Sequence, residues 1–293
     1  MDYNNKIAIG TAQFGLDYGV ANKTGKLSIS EIKKILKFAK SRGVDTIDTA
    51  SSYGDCEKRH GKIGVRDFNV ITKLPVTQPS KNAKNWVITS FKKSTQNLKL
   101  KKVYGLLVHN TKYLLSPKTG PKIYKALLHL KRKGTVQKIG ASIYTLNELK
   151  NIISKYEIDI VLAPFNIFDQ RIISSKILMQ LKKKKIEVYT RSSFLQGLLL
   201  MNKKNRPYKF NRWNNKFNLL NKLIIKIKKT ALELCLNFVF YHKGIHRVII
   251  GVDSFNHFKG LTEVKEIKMN MNLSYLNCNK DRMLINPSKW NNL

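Results

Sequence analysis

The stretch DTIDTASSYGDCE, Asp45 to Glu57, decides how this chain reads. It begins inside a short β-branched run, VDTID (Val44 to Asp48), and then breaks into a polar loop that carries Tyr53. That is the pattern of a buried parallel strand ending at a rim. Two further runs end on residues with acid–base chemistry: NVITK (Asn69 to Lys73) closes on Lys73, and VYGLLVH (Val103 to His109) closes on His109. Three successive strands would deliver Asp48, Lys73 and His109, with Tyr53 on the adjoining loop, to one place.

Outward from this stretch, short β-branched runs alternate with longer amphipathic segments at a rhythm of about 30 residues, the mark of repeated βα units and a parallel sheet. The remaining runs are KIAIG (Lys6 to Gly10), VQKIGAS (Val136 to Ser142), IDIVLAP (Ile158 to Pro164), IEVYTR (Ile186 to Arg191) and RVIIG (Arg247 to Gly251). Eight strands predict an α/β fold, a closed (β/α)8 TIM barrel forming a single domain over residues 1–293. Ser30 is expected to cap the helix EIKKILKFAKSRG, Gly43 to end it in a left-handed conformation, and Thr145 to cap LNELKNIISKY. The gap before the eighth strand is longer, and a loop and two helices are expected at about 197–245.

Composition fits an enzyme domain: 42% of the 293 residues are hydrophobic, and no Pro/Gly/Ser-rich linker divides the chain. Cys56, Cys235 and Cys278 are scattered, without a CxxC pair or a histidine at metal-ligand spacing, so ordinary buried thiols in a reducing compartment are expected, and no metal. No signal-like segment or membrane-spanning run stands out, which predicts a cytoplasmic protein with no membrane partner. The formal charge of +37 is large enough to attract polyanions loosely at low salt. However, the lysines lie along segments such as EIKKILKFAK and ILMQLKKKK, where apolar residues hold one face. Solvated helix faces are therefore expected rather than a specific nucleic-acid site. The abundance of Lys, Asn and Ile also fits an A/T-rich genome. A narrower reading is attraction of an anionic substrate, such as a phosphorylated or nucleotide-linked sugar.

In such barrels chemistry sits where βα loops meet at the C-terminal ends of the strands. A tyrosine hydroxyl has an ordinary pKa of about 10, and an adjacent ammonium would lower it. Lys73 can supply that charge, Asp48 can keep the lysine charged, and a neutral His109 can orient a substrate carbonyl. Each residue alone has a plainer reading: a salt bridge for Lys73, a loop cap for Asp48, a packed aromatic for Tyr53, a core histidine for His109. No GxGxxG or GxxxxGK loop occurs, and no Ser/His/Asp hydrolase motif stands out.

The stretches IGTAQFGLDYGVANKTGKLS, DTIDTASSYGDCEKRHGKIG, KIGASIY, PFNIFDQR, RSSFLQGLLL and LINPSKW resemble the aldo-keto reductase superfamily over nearly the whole chain. They look closest to its bacterial branch of reductases labelled for spore-coat or surface-polysaccharide biosynthesis. The resemblance implies NAD(P)H-dependent reduction of an aldehyde or ketone, with a sugar-like carbonyl compound as the expected substrate. In it Tyr53 is the general acid, Asp48 and Lys73 the pair that tunes it, and His109 the orienting partner.

The same resemblance places Gly10 and Thr11 under the nicotinamide, Ser142 on its carboxamide, Arg191 where an aromatic usually stacks on the ring, and Ser192, Phe194 and Gln196 near the pyrophosphate. Two expected amide side chains are replaced by Ile143 and Leu162. GVDSFNHF, following Gly251, matches the segment that holds the adenosine phosphate. There Asp253 and His257 stand where Lys or Arg usually meets the 2′-phosphate of NADPH. NADPH is the superfamily's usual cofactor and is expected first, with NADH as the alternative that an acidic Asp253 suits. Tyr18, Phe14 and Trp213 are expected to shape a substrate mouth, and Trp86 and Trp290 to be structural. Two rivals stay open: a catalytically silent cofactor-binding or regulatory barrel, and a lyase using Lys73 as a Schiff-base nucleophile.

Overall fold

A computed structural model describes residues 3–22, 24–269 and 271–293. Eight parallel strands close into a barrel in sequence order: β1 (Ile7–Gly10), β2 (Thr46–Asp48), β3 (Asn69–Lys73), β4 (Val103–Val108), β5 (Val136–Ser142), β6 (Ile160–Pro164), β7 (Glu187–Arg191) and β8 (Arg247–Gly251). The last strand returns to the first with Gly10 opposite Gly251. Strands 1, 2 and 6 are buried along their full length, because each packs a helical layer outside and a filled lumen inside. That lumen holds Ala8, Ile71, Leu107, Ile160, Leu162, Tyr189 and Ile249. Towards the N-terminal end of the barrel, Glu187 accepts from Tyr104 at 3.0 Å and pairs with Lys138 at 2.5 Å. With charge satisfied there, the open end for chemistry is the opposite rim.

Outside, the helix Ile29–Ser41 buries Ile32, Ile35, Leu36 and Ala39, while Lys33, Lys34, Lys37 and Lys40 face solvent. This is the 3.6-residue stripe expected of an amphipathic helix, with the lysines on its wet side. Its cap is Ser28 rather than Ser30: the Ser28 hydroxyl accepts from Glu31 N at 3.1 Å. Ser30 lies already inside the helix, and the stretch Ser28-x-x-Glu31 has the spacing that satisfies an N3 amide. Gly43 takes φ +75° and Thr145 accepts from Glu148 N, both as expected. Between β7 and β8 lie two helices, Asn214–Ile227 and Ala231–Tyr241, the second opened by a capping box of Thr230 and Glu233. No helix among the described residues is long and apolar enough to cross a membrane.

Two of the expected mouth aromatics are core instead. Phe14 is fully buried against His60. Trp213 is buried, and its indole N–H donates to Asp281, tying the C-terminal segment to the barrel. Trp290 is also buried, edge-on to Phe210, with its N–H on the Leu284 carbonyl, and Trp86 packs against the core.

Candidate active site

Lys73 ends β3 with its ammonium 2.7 Å from both oxygens of Asp48, the last residue of β2. The same nitrogen donates to the Thr49 carbonyl at 2.8 Å and stands 3.4 Å from the Tyr53 hydroxyl. Lys73 is 1% exposed. Burial pushes the Asp48 carboxyl up and the Lys73 ammonium down, and the charge of each partner opposes the change in the other.

Tyr53 reaches this pair because its loop packs on bare backbone. A Cβ on Gly15 would lie 2.0 Å from the Tyr53 carbonyl oxygen. Gly54 takes φ +58°, and its own Cβ would lie 2.3 Å from the Gly15 carbonyl oxygen. Only glycine at both positions lets the two backbones meet. The Tyr53 ring then lies over the Lys73 ammonium, 4.9 Å from nitrogen to centroid.

The expected lowering of the Tyr53 hydroxyl pKa is not what the geometry produces. Burial, and after it the Asp48 charge, hold this hydroxyl well above the usual phenol range. Burial disfavours the tyrosinate, and the ammonium that would favour it is already matched by a carboxylate 2.7 Å away. Tyr53 therefore keeps its proton at neutral pH, as an acid must before it donates. His109 lies one residue beyond β4, its ring edge-on to Tyr53 at 6.0 Å. Burial, then Lys73 and Arg191, push its pKa down to about 3, so the imidazole is neutral. Its Nδ1 is buried without a protein partner.

A cavity of about 610 Å³ opens from Asp48 and Tyr53 and extends to Asp253 and His257 after β8. Of the residues expected to bind a cofactor, Gly10, Thr11, Arg191, Ser192, Phe194, Gln196, Gly251, Asp253 and His257 form its walls. Ser142 does not: it is buried at the end of β5 and outside these walls. Ile143 packs into the outer core and Leu162 into the lumen, so both replacements serve packing. After β7 the chain holds Ser192, Leu195 and Gln196 at positive φ, a strained turn costing on the order of 1–2 kcal/mol per residue. Buried Leu195, a bond from Ala21 N to the Gln196 carbonyl and one between Tyr18 and the Gln196 amide keep it in place. Tyr18 is thus the one expected mouth aromatic that does line a cavity. Asp253 pairs with His257 at 2.7 Å, a hydrogen bond that holds its carboxyl below the usual range.

These walls fit a nicotinamide dinucleotide. Gly10 and Gly251 face each other without side chains, and a Cβ on Gly10 would meet Ile249 at 2.9 Å. Gln13 Oε1 and Ser193 Oγ are buried in the walls with no protein partner, leaving polar atoms for a ligand. Neither residue carries a chemical signature in the sequence, although Gln13 lies only two positions after Thr11. A second cavity of about 430 Å³ lies on the His109 side, walled by Val76, Asn110, Lys112, Tyr144, Glu148 and Ser288 among others.

Comparison with known proteins agrees with this geometry. The family model described as Aldo/keto reductase family matches residues 6–272. Among solved structures, an aldo-keto reductase from Bacillus halodurans in its holo form is 17% identical, covering 89% of this chain and 88% of its own, with a TM-score of 0.71. The glycerol dehydrogenase of Gluconobacter oxydans is 19% identical, covering 89% and 87%, with a TM-score of 0.68. At such identities the likeness concerns the fold. No curated protein sequence matches the chain. Eight closed βα units and a family match over nearly the whole length lead to one conclusion: this chain belongs to the aldo/keto reductase family and is an oxidoreductase of carbonyl compounds that uses a nicotinamide cofactor.

Proposed function

We propose that the protein reduces a sugar-like aldehyde or ketone to an alcohol, with Tyr53 delivering the proton to the carbonyl oxygen. The observation that carries this reading is the Lys73 ammonium, 2.7 Å from Asp48 and 3.4 Å from the Tyr53 hydroxyl at the end of the cavity. When bound, the nicotinamide supplies the hydride. The chain's residues do the rest. Tyr53 donates from a hydroxyl that burial keeps protonated, and the nearby ammonium steadies the oxygen as its proton leaves. Neutral His109, which lines the second cavity with its ring edge-on to Tyr53 and its Nδ1 without a protein partner, orients the carbonyl from that side.

The lyase alternative fits less well. A Schiff-base lysine must be a neutral, accessible amine. Lys73 is 1% exposed, tied to two carboxylate oxygens and a carbonyl, and absent from the walls of both cavities. We place the chain with the spore-coat and surface-polysaccharide reductases on the stretches RSSFLQGLLL and LINPSKW, and in the cytoplasm on its three free, buried thiols.

The superfamily's habit favours NADPH, but the Asp253 end of the cavity argues for NADH: a carboxylate stands there, and no lysine is among the described walls. Titration followed by tryptophan fluorescence at moderate salt should find NADH bound about tenfold tighter, the size expected for a like-charge contact that solvent and salt largely screen. Asp253→Ser should narrow that gap. Tighter NADPH would remove Asp253 from the selection, and binding of neither would sink the reductase reading. For the substrate, Asn110, Ser288 and Glu148 of the second cavity suit a hydroxylated compound, and exposed Lys112 is the one cation among its described walls that an anionic compound would meet. KM for a phosphorylated sugar aldehyde should then rise several-fold as salt goes from about 0.05 to 0.5 M, and KM for its neutral counterpart should stay flat. Equal response of both would dismiss an anionic substrate.

A further inference from the structure

Arg191 closes β7 opposite Pro164 and walls the main cavity together with Gly10, Thr11, Asp48 and Tyr53. Its guanidinium is fixed from three sides. One nitrogen donates to the Ile143 carbonyl at 3.1 Å, another to the Ser192 hydroxyl at 3.3 Å, and Cζ lies over the Tyr144 ring, 4.5 Å from its centroid. All three partners are neutral. Among the described residues no carboxylate lies within ion-pair distance of Arg191, and the nearby Asp48 is held by Lys73. The charges at the catalytic end therefore sum to one fixed positive charge: Lys73 and Asp48 cancel, His109 is neutral, and Arg191 remains. Its field reaches Asp48, Lys73, Tyr53 and His109 alike.

A nicotinamide ring is neutral when reduced and carries a positive charge when oxidised. A fixed cation beside it cannot treat the two forms equally. Resting on the reductase reading above, we propose that Arg191 makes this site select the reduced cofactor over the oxidised one. Only a difference in interaction between the two states can bias a reaction. A unit charge about 6 Å away, at an effective dielectric of about 40, between that of a protein surface and that of water, changes the ratio of the two affinities by about tenfold. The consequence lies in the order of binding: the reduced cofactor is held before hydride transfer and the oxidised one is released after it, while the hydride step on the enzyme becomes less downhill by the same factor and the overall equilibrium is unchanged. The same charge favours the anionic form of Tyr53 as its proton departs. An aromatic ring at this position would favour the cationic, oxidised nicotinamide through its π face, whereas a guanidinium reverses that preference.

The test is equilibrium binding by the intact protein of NADH and NAD+, each titrated separately, in wild type, Arg191→Gln and Arg191→Lys. Wild type should hold NADH more tightly than NAD+. Arg191→Gln should cut that ratio about tenfold, mainly by improving NAD+ binding, and Arg191→Lys should keep it within about twofold of wild type. Arg191→Met keeps the side-chain length without the charge and serves if the glutamine variant does not fold. Equal weakening of both forms would reduce Arg191 to a packing contact and overturn the inference, as would a lysine variant that behaves like glutamine. Binding of neither form by wild type would bring down the reductase reading together with the inference. Binding of both with an unchanged ratio in the variants would bring down the inference alone.

Discussion

Tyr53→Phe is expected to lower kcat by about a hundredfold or more while leaving the cofactor Kd within about twofold, because a general acid supplies roughly that share of a rate. The substitution removes one oxygen and keeps the ring, which continues to lie over Lys73 and edge-on to His109. The lost contact, at 3.4 Å, is the longest that Lys73 makes, so Tm should hardly move. A silent cofactor-binding barrel would have no rate to lose and would bind as before. Steady-state kinetics on an aldehyde panel beside a cofactor titration therefore separate the two readings. The pH profile of kcat is a second readout. Tyr53 is active in its protonated form, and its pKa is raised, so the rate should hold through neutral pH and decline only in the alkaline range. His109, with its pKa near 3, should add no limb around its ordinary value. A drop in rate centred near pH 6.5 would show a histidine that titrates in function and would contradict a neutral His109.

Much of this site could be read from the sequence, and for a definable reason. Asp48, Lys73 and His109 sit at or just past the ends of β-branched runs, and a closed parallel barrel brings strand ends together whatever the intervening helices contain. The cofactor walls were legible for the same reason at Gly10 and Gly251, which end neighbouring strands. What escaped depends on direction and distance. Phe14 and Trp213 lie beside loops, and nothing in a linear pattern says whether such a ring turns inward; both do. Ser142 ends its strand as expected yet stays outside the cavity walls. The contact of Arg191 with Ile143 joins residues 48 apart, and no spacing rule connects them. The direction of the Tyr53 shift is not legible from the ammonium beside it, because burial of the hydroxyl comes first and the Asp48 carboxylate cancels the ammonium.

That cancellation makes Lys73→Met the most disruptive single change to stability in the site. It strands the Asp48 carboxylate, 3% exposed, with no counter-charge, and breaking a buried pair from one side costs about 3–5 kcal/mol. Urea unfolding should register the loss at neutral pH. Asp48→Asn combined with Lys73→Met should recover most of it, because neither remaining side chain carries a buried charge. Activity should stay low in both variants, since stability depends on charge balance whereas proton delivery depends on the ammonium beside Tyr53. The pH dependence carries a definite sign. In Lys73→Met the folded-state pKa of Asp48 rises further above its unfolded value, so the folded chain holds the proton more tightly than the unfolded one. Protonation then removes the stranded charge, and the variant's deficit should shrink as pH falls from 7 towards about 4, near the ordinary carboxylate value. A deficit that grows on acidification, or a single variant as stable as wild type, would mean that the pair is not the buried charge-balanced unit its 2.7 Å contacts describe. Recovery of activity along with stability in the double variant would remove Lys73 from proton delivery and leave Tyr53 acting without it.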